Sequence, residues 1–335
     1  MRADRVTDWL NENVIALSGV EPGVGVDDIE PLAEVLADVR VVGLGEATHG
    51  TREFFTLKHR LVEFLVRRLG FTVFALEAGV AACRAVNDYV VDGVGTARQA
   101  LATVGFWTWH TEEVLALVEW LRAHNAELPA RRRVRFRGID PLDEPGADQW
   151  TADRAREITA LPALSTKGSH LRDKYMAEAV QRILDAEEPG TRVMLWAHNG
   201  HLARGVGTSL GSHLADRYRR QYYVLGFAAY EGGFQALRFP GGKLTELVLG
   251  PARPGSVEWQ LSRVRERAFL VDLRPAPGDE RVARWVRRKT KLRAFGSMVF
   301  LWPLMRKTSA TVRPCEYDGL AFVRMTTRAR PLTAR

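Results

Sequence analysis

Cysteine is almost missing from this sequence: Cys83 and Cys315 are the only two, and they lie far outside any CxxC spacing. Neither a disulfide framework nor a cysteine-ligated zinc site is indicated, which leaves both thiols as ordinary core residues. Long apolar runs are missing as well. No stretch approaches the ~20 residues of a membrane-spanning helix, and the opening MRADRVTDWL lacks the apolar segment of a secretory signal. Cytoplasmic residence, with no membrane partner, is therefore the expectation. Fixed-period repeats and low-complexity tracts are also lacking, so nothing points to a solenoid.

What the sequence does contain is enough apolar material for a large core. It has 335 residues, 46% hydrophobic and 26% charged, the balance of a soluble globular protein. The net charge of +8 favours acidic partners, but the basic residues are spread out, with denser spots at ARRRVRFR (130–137) and RWVRRKTKLR (284–293). No recognition motif accompanies them, so they read as solvated basic faces and not as a nucleic-acid interface.

Short aliphatic runs recur along the chain, at 39–45, 71–77, 133–140, 192–198, 222–228, 267–273 and 319–325. Longer amphipathic stretches separate them. Between the first two, Phe54, Leu57, Leu61, Phe64, Leu65 and Leu69 fall near helical spacing, and Gly70 reads as the C-terminal cap. Further helices are expected at 80–91, 111–126, 151–159, 173–186, 212–220, 256–266 and 280–288. This strand, helix, strand rhythm predicts an α/β fold built on a mainly parallel sheet flanked by helices, in one domain over 1–335. The Pro and Gly cluster at 240–255 reads as loops around a short strand.

The informative residues stand where these strands end. The first run is followed by Glu46 and His49, the second ends in Glu77, the third in Asp140, and the fourth in His198 and His201. Ligands of open parallel sheets bind beyond the carboxyl ends of the strands, so these groups should meet in one crevice. A lone buried histidine or strand-end glutamate is usually structural. Several converging on one place are a costly way to build a core, because each buried charge needs a partner. Such a set suits acid and base chemistry on water: His49 as general base, with Glu77 or Glu46 orienting it, and the AHNGH histidines polarising a carbonyl or protonating a leaving oxygen. Asp140 reads either as support for that set or as a cap before Pro141.

GEATHGTREFFTLKHRLVEFL, FALEAG, GFWTWHTEEVLALVEWLRAHN, RGIDP, RDKYMAE, WAHNGHLAR, GSHLADRY and LGFAAYEGGF occur in that order. Together they resemble the erythromycin esterase family over residues 40–235, and more weakly to the end. The resemblance implies hydrolysis of a macrolactone ester by directly activated water, without an acyl-enzyme; no cofactor is expected, with a divalent metal as the rival weighed below. It implies His49 as base with Glu46, Glu77, His198 and His201 around it, and adds Lys58 and Arg172 as groups that orient substrate or stabilise charge. Trp107 and His110, beside Phe106 and Trp109, are candidates for an apolar wall against the substrate. Two departures stand out: Ala179 replaces a usual asparagine, and only residues 142–171 lie where longer members carry a helical cap. A reduced cap would leave the reaction machinery intact and change the wall that selects substrate. An ester or lactone, of macrolide type or from a natural-product pathway, is the expected small-molecule substrate.

Three rivals compete with this reading. GTSLG (207–211) matches the G-x-S-x-G pattern, but no strand leads into Ser209, as a nucleophile elbow requires. Glutamates and histidines also bind zinc or manganese, yet HNGH is not HExxH and no spacing here demands a metal. A non-hydrolytic acid and base step, such as cyclisation, elimination or acyl transfer, uses the same histidine and remains the alternative.

Overall fold

A computed structural model describes residues 4–142, 144–162, 165–205, 207–239, 241–275, 278–300 and 309–333. Twelve strands are found among them: β1 (Val14–Ala16), β2 (Val41–Leu44), β3 (Val73–Gly79), β4 (Arg135–Asp140), β5 (Val193–Trp196), β6 (Tyr222–Phe239), β7 (Lys243–Leu249), β8 (Ala268–Asp272), β9 (Thr290–Arg293), β10 (Met298–Phe300), β11 (Ser309–Val312) and β12 (Gly319–Thr326). Ten form one sheet in the order β1-β8-β12-β6-β2-β5-β3-β4, with β7 and β10 also pairing β6, while β9 and β11 form a separate ladder. The run from β12 to β4 is parallel, and β1, β8 and β7 pair antiparallel to their neighbours. All seven expected strands exist. Every residue of β2, β3 and β5 is buried, as a sheet covered on both faces requires.

The helix after β2, Arg52–Leu69, ends where the sequence predicts. Gly70 adopts φ 68°, and the amides of Gly70 and Phe71 close on the carbonyls of Val66 and Leu65. It is not amphipathic in its burial, however. Lys58, His59, Arg60 and Glu63 are as buried as its leucines, because more than the sheet covers it. Arg60 donates to the Gly25 carbonyl at 2.8 Å and to Asp28, and Glu53 accepts from Thr327 in the C-terminal tail at 2.7 Å.

Two features depart from expectation, the length of β6 and the exposure of Cys315. β6 does not stop near residue 228 but runs on to Phe239, and the short strand expected within 240–255 is β7, which pairs antiparallel with Gly232–Arg238 of β6. Gly232 makes this continuation possible: at φ 127° its Cα lies against the Thr326 backbone, where a Cβ would sit 2.1 Å from the carbonyl oxygen. The segment 142–171, expected to be a reduced cap, holds helix Gln149–Thr159 and the first turns of helix Thr166–Asp185. Of the two thiols expected in the core, Cys83 is buried but Cys315 is exposed. Residues 143, 163 and 164 of the cap region, and residue 240 before β7, lie outside the described residues. No described helix is long and apolar enough to cross a membrane.

Candidate active site

β2, β5, β3 and β4 lie side by side in that order, and their carboxyl ends bring Glu46, His198, Glu77 and Asp140 to one place. Close backbone approaches hold the loops there. The Cα of Gly45 faces the Asn199 side chain, and a Cβ would meet its Oδ1 at 2.1 Å. Asn199 Nδ2 donates to the Phe227 carbonyl at 2.8 Å and its Oδ1 accepts from the Phe227 amide at 3.0 Å, while its own amide donates to the Glu46 carbonyl at 2.9 Å. One buried amide thus locks the loops after β2 and β5 to β6.

Glu46 Oε1 faces His49 Nδ1 at 2.7 Å, and its Oε2 accepts from Trp196 Nε1 at 2.8 Å and from Lys58. The Glu46 carboxylate is fully buried. Burial opposes its charge, but Lys58 and His49 outweigh that and hold the pKa down at about 2. A carboxylate facing Nδ1 keeps the proton there and leaves Nε2 of His49 as the acceptor. Of the two partners left open by the sequence, Glu46 is the one that contacts His49.

Glu77 serves the other two histidines. Its Oε2 accepts from the His198 amide at 2.9 Å, and its Oε1 accepts from Arg172 Nη2 at 3.0 Å and lies 3.3 Å from His201 Nε2. Burial works against the carboxylate, yet His201 and Arg172 hold it well below the ordinary range. His201 Nδ1 meets Asp173 at 2.5 Å. Burial disfavours the imidazolium, but Glu77 and Asp173 prevail and raise its pKa. His198 goes the other way: burial, then the neighbouring His49 and His201, push it down to about 3. Its Nδ1 accepts the Gly200 amide at 3.1 Å, capping the short helix Asn199–Leu202. The proton of the neutral ring is therefore on Nε2, which is buried without a hydrogen-bond partner among the described residues. The His49 and His198 rings lie 4.9 Å apart.

The set therefore contains a histidine with a free acceptor nitrogen, a neutral histidine with a free N–H, and a histidine flanked by two carboxylates. All three line a cleft of about 550 Å³ with Glu77, Asp140 and Arg172. A second lobe of about 770 Å³ meets it at His198, His201 and Gly296.

Several expectations need correction. Lys58 does not reach the cleft. It is fully buried against Glu46, with Nζ 3.9 Å from the Trp196 ring centroid, so it balances Glu46 and touches no substrate. Arg172 does line the cleft, but its guanidinium is committed to Asp140 (2.7 Å) and Glu77 (3.0 Å). Asp140 is thus a partner of Arg172 and not merely a cap. Trp107 and His110 do not line the cleft, whereas Phe106, Thr108 and Trp109 do; His110 Nε2 is spent on the Leu101 carbonyl at 2.9 Å. Ser209 caps helix Leu210–Tyr218 and donates to the Ala203 carbonyl at 2.6 Å. Ala179 lies in the apolar cluster beneath β5. The sequence reading missed Trp196 and Asp173. Asp173 directly follows Arg172 in the RDKYMAE motif, so the motif itself was the available signal. Among the described residues, no group of three or more His, Cys, Asp or Glu is placed to hold a metal ion.

The sequence model of the family described as erythromycin esterase matches residues 66–153 and 147–326. Erythromycin esterase type II of Escherichia coli is 35% identical over 136 residues, covering 41% of this chain and 32% of its own length. The chain therefore aligns with only about a third of that relative. Among solved structures, one described as a succinoglycan biosynthesis protein superposes with a TM-score of 0.85 at 22% identity, covering 98% of both chains. A histidine mutant of the erythromycin esterase EreC, in its open conformation, superposes with a TM-score of 0.63 at 17% identity, covering 92% of this chain and 96% of its own. At these identities the two structures speak for the fold alone.

Proposed function

Because this chain belongs to the erythromycin esterase family, we propose that it is a hydrolase that cleaves an ester or lactone with water activated by His49. The observation that carries the proposal is the pairing of His49 Nδ1 with the buried Glu46 carboxylate at 2.7 Å, which leaves Nε2 free at the cleft. In this reading Nε2 takes a proton from water as its oxygen attacks the carbonyl carbon. Glu46 stabilises the imidazolium that forms, and Lys58 and Trp196 keep Glu46 ionised and in place.

Charge then develops on the carbonyl oxygen. The unpartnered Nε2–H of His198 supports a role as its donor, because an N–H fixed beforehand in a dry site stabilises an oxyanion without reorganising. His201, between Asp173 and Glu77, supplies positive charge beside the leaving oxygen and a proton for it. Arg172 positions Glu77 and Asp140.

His49→Ala should lower turnover of an accepted ester or lactone on the order of a hundredfold or more, while the product of the wild type gains one water by mass spectrometry. Near-full turnover by the variant would remove His49 as base. A product of unchanged mass or with water lost would move the site to the non-hydrolytic alternative.

A further inference from the structure

The basic stretch RWVRRKTKLR (284–293) is not one solvated face. Arg284, Arg287, Arg288 and Lys289 are exposed and line neither lobe of the cleft. Lys291 and Arg293 instead stand on β9 and line the lobe of about 770 Å³ that opens beyond His198 and His201. β9 pairs antiparallel with β11, with Lys291 opposite Thr311 and Arg293 opposite Ser309. Alternate residues of a strand share a face, so these four stand together on one side of the ribbon. Its other side is apolar: Leu292 and Val312 are buried in an apolar cluster, and Ala310 packs against it.

The lobe face of this ribbon offers positive charge and hydrogen-bond donors that the protein does not answer. Lys291 Nζ donates to Thr311 Oγ1 at 2.7 Å, and a hydroxyl that accepts in this way still has its own proton to donate. Among the described residues Lys291 has no ion pair and the Ser309 hydroxyl no hydrogen bond. Arg293 is held by carbonyl oxygens: its Nη1 donates to Tyr230 at 2.7 Å and its Nη2 to Gly250. The buried Glu258 carboxyl accepts the Arg293 backbone amide, and burial raises its pKa above the ordinary range. The one carboxylate among the described residues of the lobe wall, Asp173, is spent on His201 at 2.5 Å. An adjoining cavity of about 460 Å³ shares Lys291, Arg293 and Ser309 and adds the exposed Arg253.

We propose that this ribbon binds an anionic group, a carboxylate, sulfate or phosphate, carried on the leaving-group half of the substrate, with Lys291 and Arg293 supplying charge and Ser309 and Thr311 hydroxyl donors. The inference rests on the ester-hydrolase reading for which half of the substrate enters the lobe, but not for the site itself. His201 stands where the two lobes meet, so an ester whose carbonyl lies between His49 and His198 directs its leaving oxygen past His201 and into this lobe. An anion accepts from every donor on the ribbon face, and hydrogen bonds to an ionised acceptor are roughly twice as strong as neutral ones. A protonated amine would meet two cations and no free carboxylate among the described residues of this wall. A neutral group would take the hydroxyls and leave both charges to water.

The test uses acetate esters of a phenol whose para side chain ends in a carboxylate, a carboxamide or an ammonium group, with wild type, Lys291→Gln and Lys291→Glu. The readout is the ratio of kcat/KM values within each protein, so a general loss of activity cancels. Wild type should favour the carboxylate ester over the carboxamide by about fivefold, through KM, the upper end of what a partly exposed ion pair contributes. Lys291→Gln should bring that ratio near one, and Lys291→Glu should turn the preference toward the ammonium ester. A ratio near one in wild type, or the same ratio in all three proteins, would overturn the inference. Calorimetry of wild type and Lys291→Gln with phenylpropanoate, phenyl sulfate and phenyl phosphate tells which anion fits and separates the site from the reaction. Anion binding that weakens in Lys291→Gln, with no ester hydrolysed, would uphold the anion site and sink the hydrolase. Hydrolysis with neither anion preference nor anion binding would sink the anion site alone, and neither hydrolysis nor binding would sink both.

Discussion

His198 is a residue whose protonation opposes folding. Its folded pKa is pushed down to about 3 from an ordinary 6.5 by burial and by the facing His49 and His201, against the pull of Glu77 and Glu46. Between pH 3 and 6.5 the unfolded chain binds a proton there that the folded chain does not. Stability from this group is thus complete above pH 6.5 and is lost as pH falls toward 3. Glu46, held at about 2, loses its contribution in turn below about pH 4.5. His198→Asn keeps a residue able to cap the helix but removes the titration. The free energy of unfolding should then change less steeply between pH 4 and 6, by up to about 1.4 kcal/mol per pH unit, the equivalent of one proton. Urea unfolding of both proteins across that range measures it, and parallel slopes would mean that His198 is protonated in the folded state.

Among the elements, the short helix Asn199–Leu202 does more than its four residues suggest. His198 caps it, His201 closes it, and Asn199 within it holds both the amide and the carbonyl of Phe227 on β6. Asn199→Ala strips partners from two buried backbone groups, each worth about 1–3 kcal/mol when left unsatisfied. The expected outcome is a loss of about 2–4 kcal/mol in chemical denaturation together with reduced turnover, because the loops carrying Glu46 and the histidines lose their common anchor. Full stability in that variant would show that the clamp is dispensable. The β6 and β7 arm makes a different point. Two successive glycines stand at 232–233, and β6 passes through them, since Thr326 of β12 lies against Gly232 and leaves no room for a side chain.

Across the whole molecule, the sheet collects strands from both ends of the chain. β1 pairs with β8, and β12 inserts between β8 and β6, so residues 14–16 and 319–326 lie in one sheet with the central parallel strands. We propose on this basis that the chain unfolds as one unit. Calorimetric and van't Hoff enthalpies should agree, and fluorescence and far-ultraviolet dichroism should report the same midpoint. Two separated transitions would divide the chain into independent domains.

Much of this was legible in order along the chain. Short buried strands alternating with helices declare a parallel sheet through hydrophobic period alone, and strand-end placement marked Glu46, His49, Glu77, His198 and His201 because such ends share one edge of the sheet. Pairing was not legible. That β5 lies between β2 and β3 decides that Trp196 reaches Glu46 at 2.8 Å and that Glu77 meets His201 and Arg172, contacts spanning 95 to 150 residues of chain. Sequence determined which groups were available for acid and base chemistry. Tertiary structure alone decided which were spent on each other, sealing Lys58 behind Glu46, binding Arg172 to two carboxylates and leaving His198 Nε2 without a hydrogen-bond partner among the described residues. The physical reason is that a buried charge or donor takes its meaning from its nearest neighbours in space, and those are set by strand order, which local periodicity does not encode.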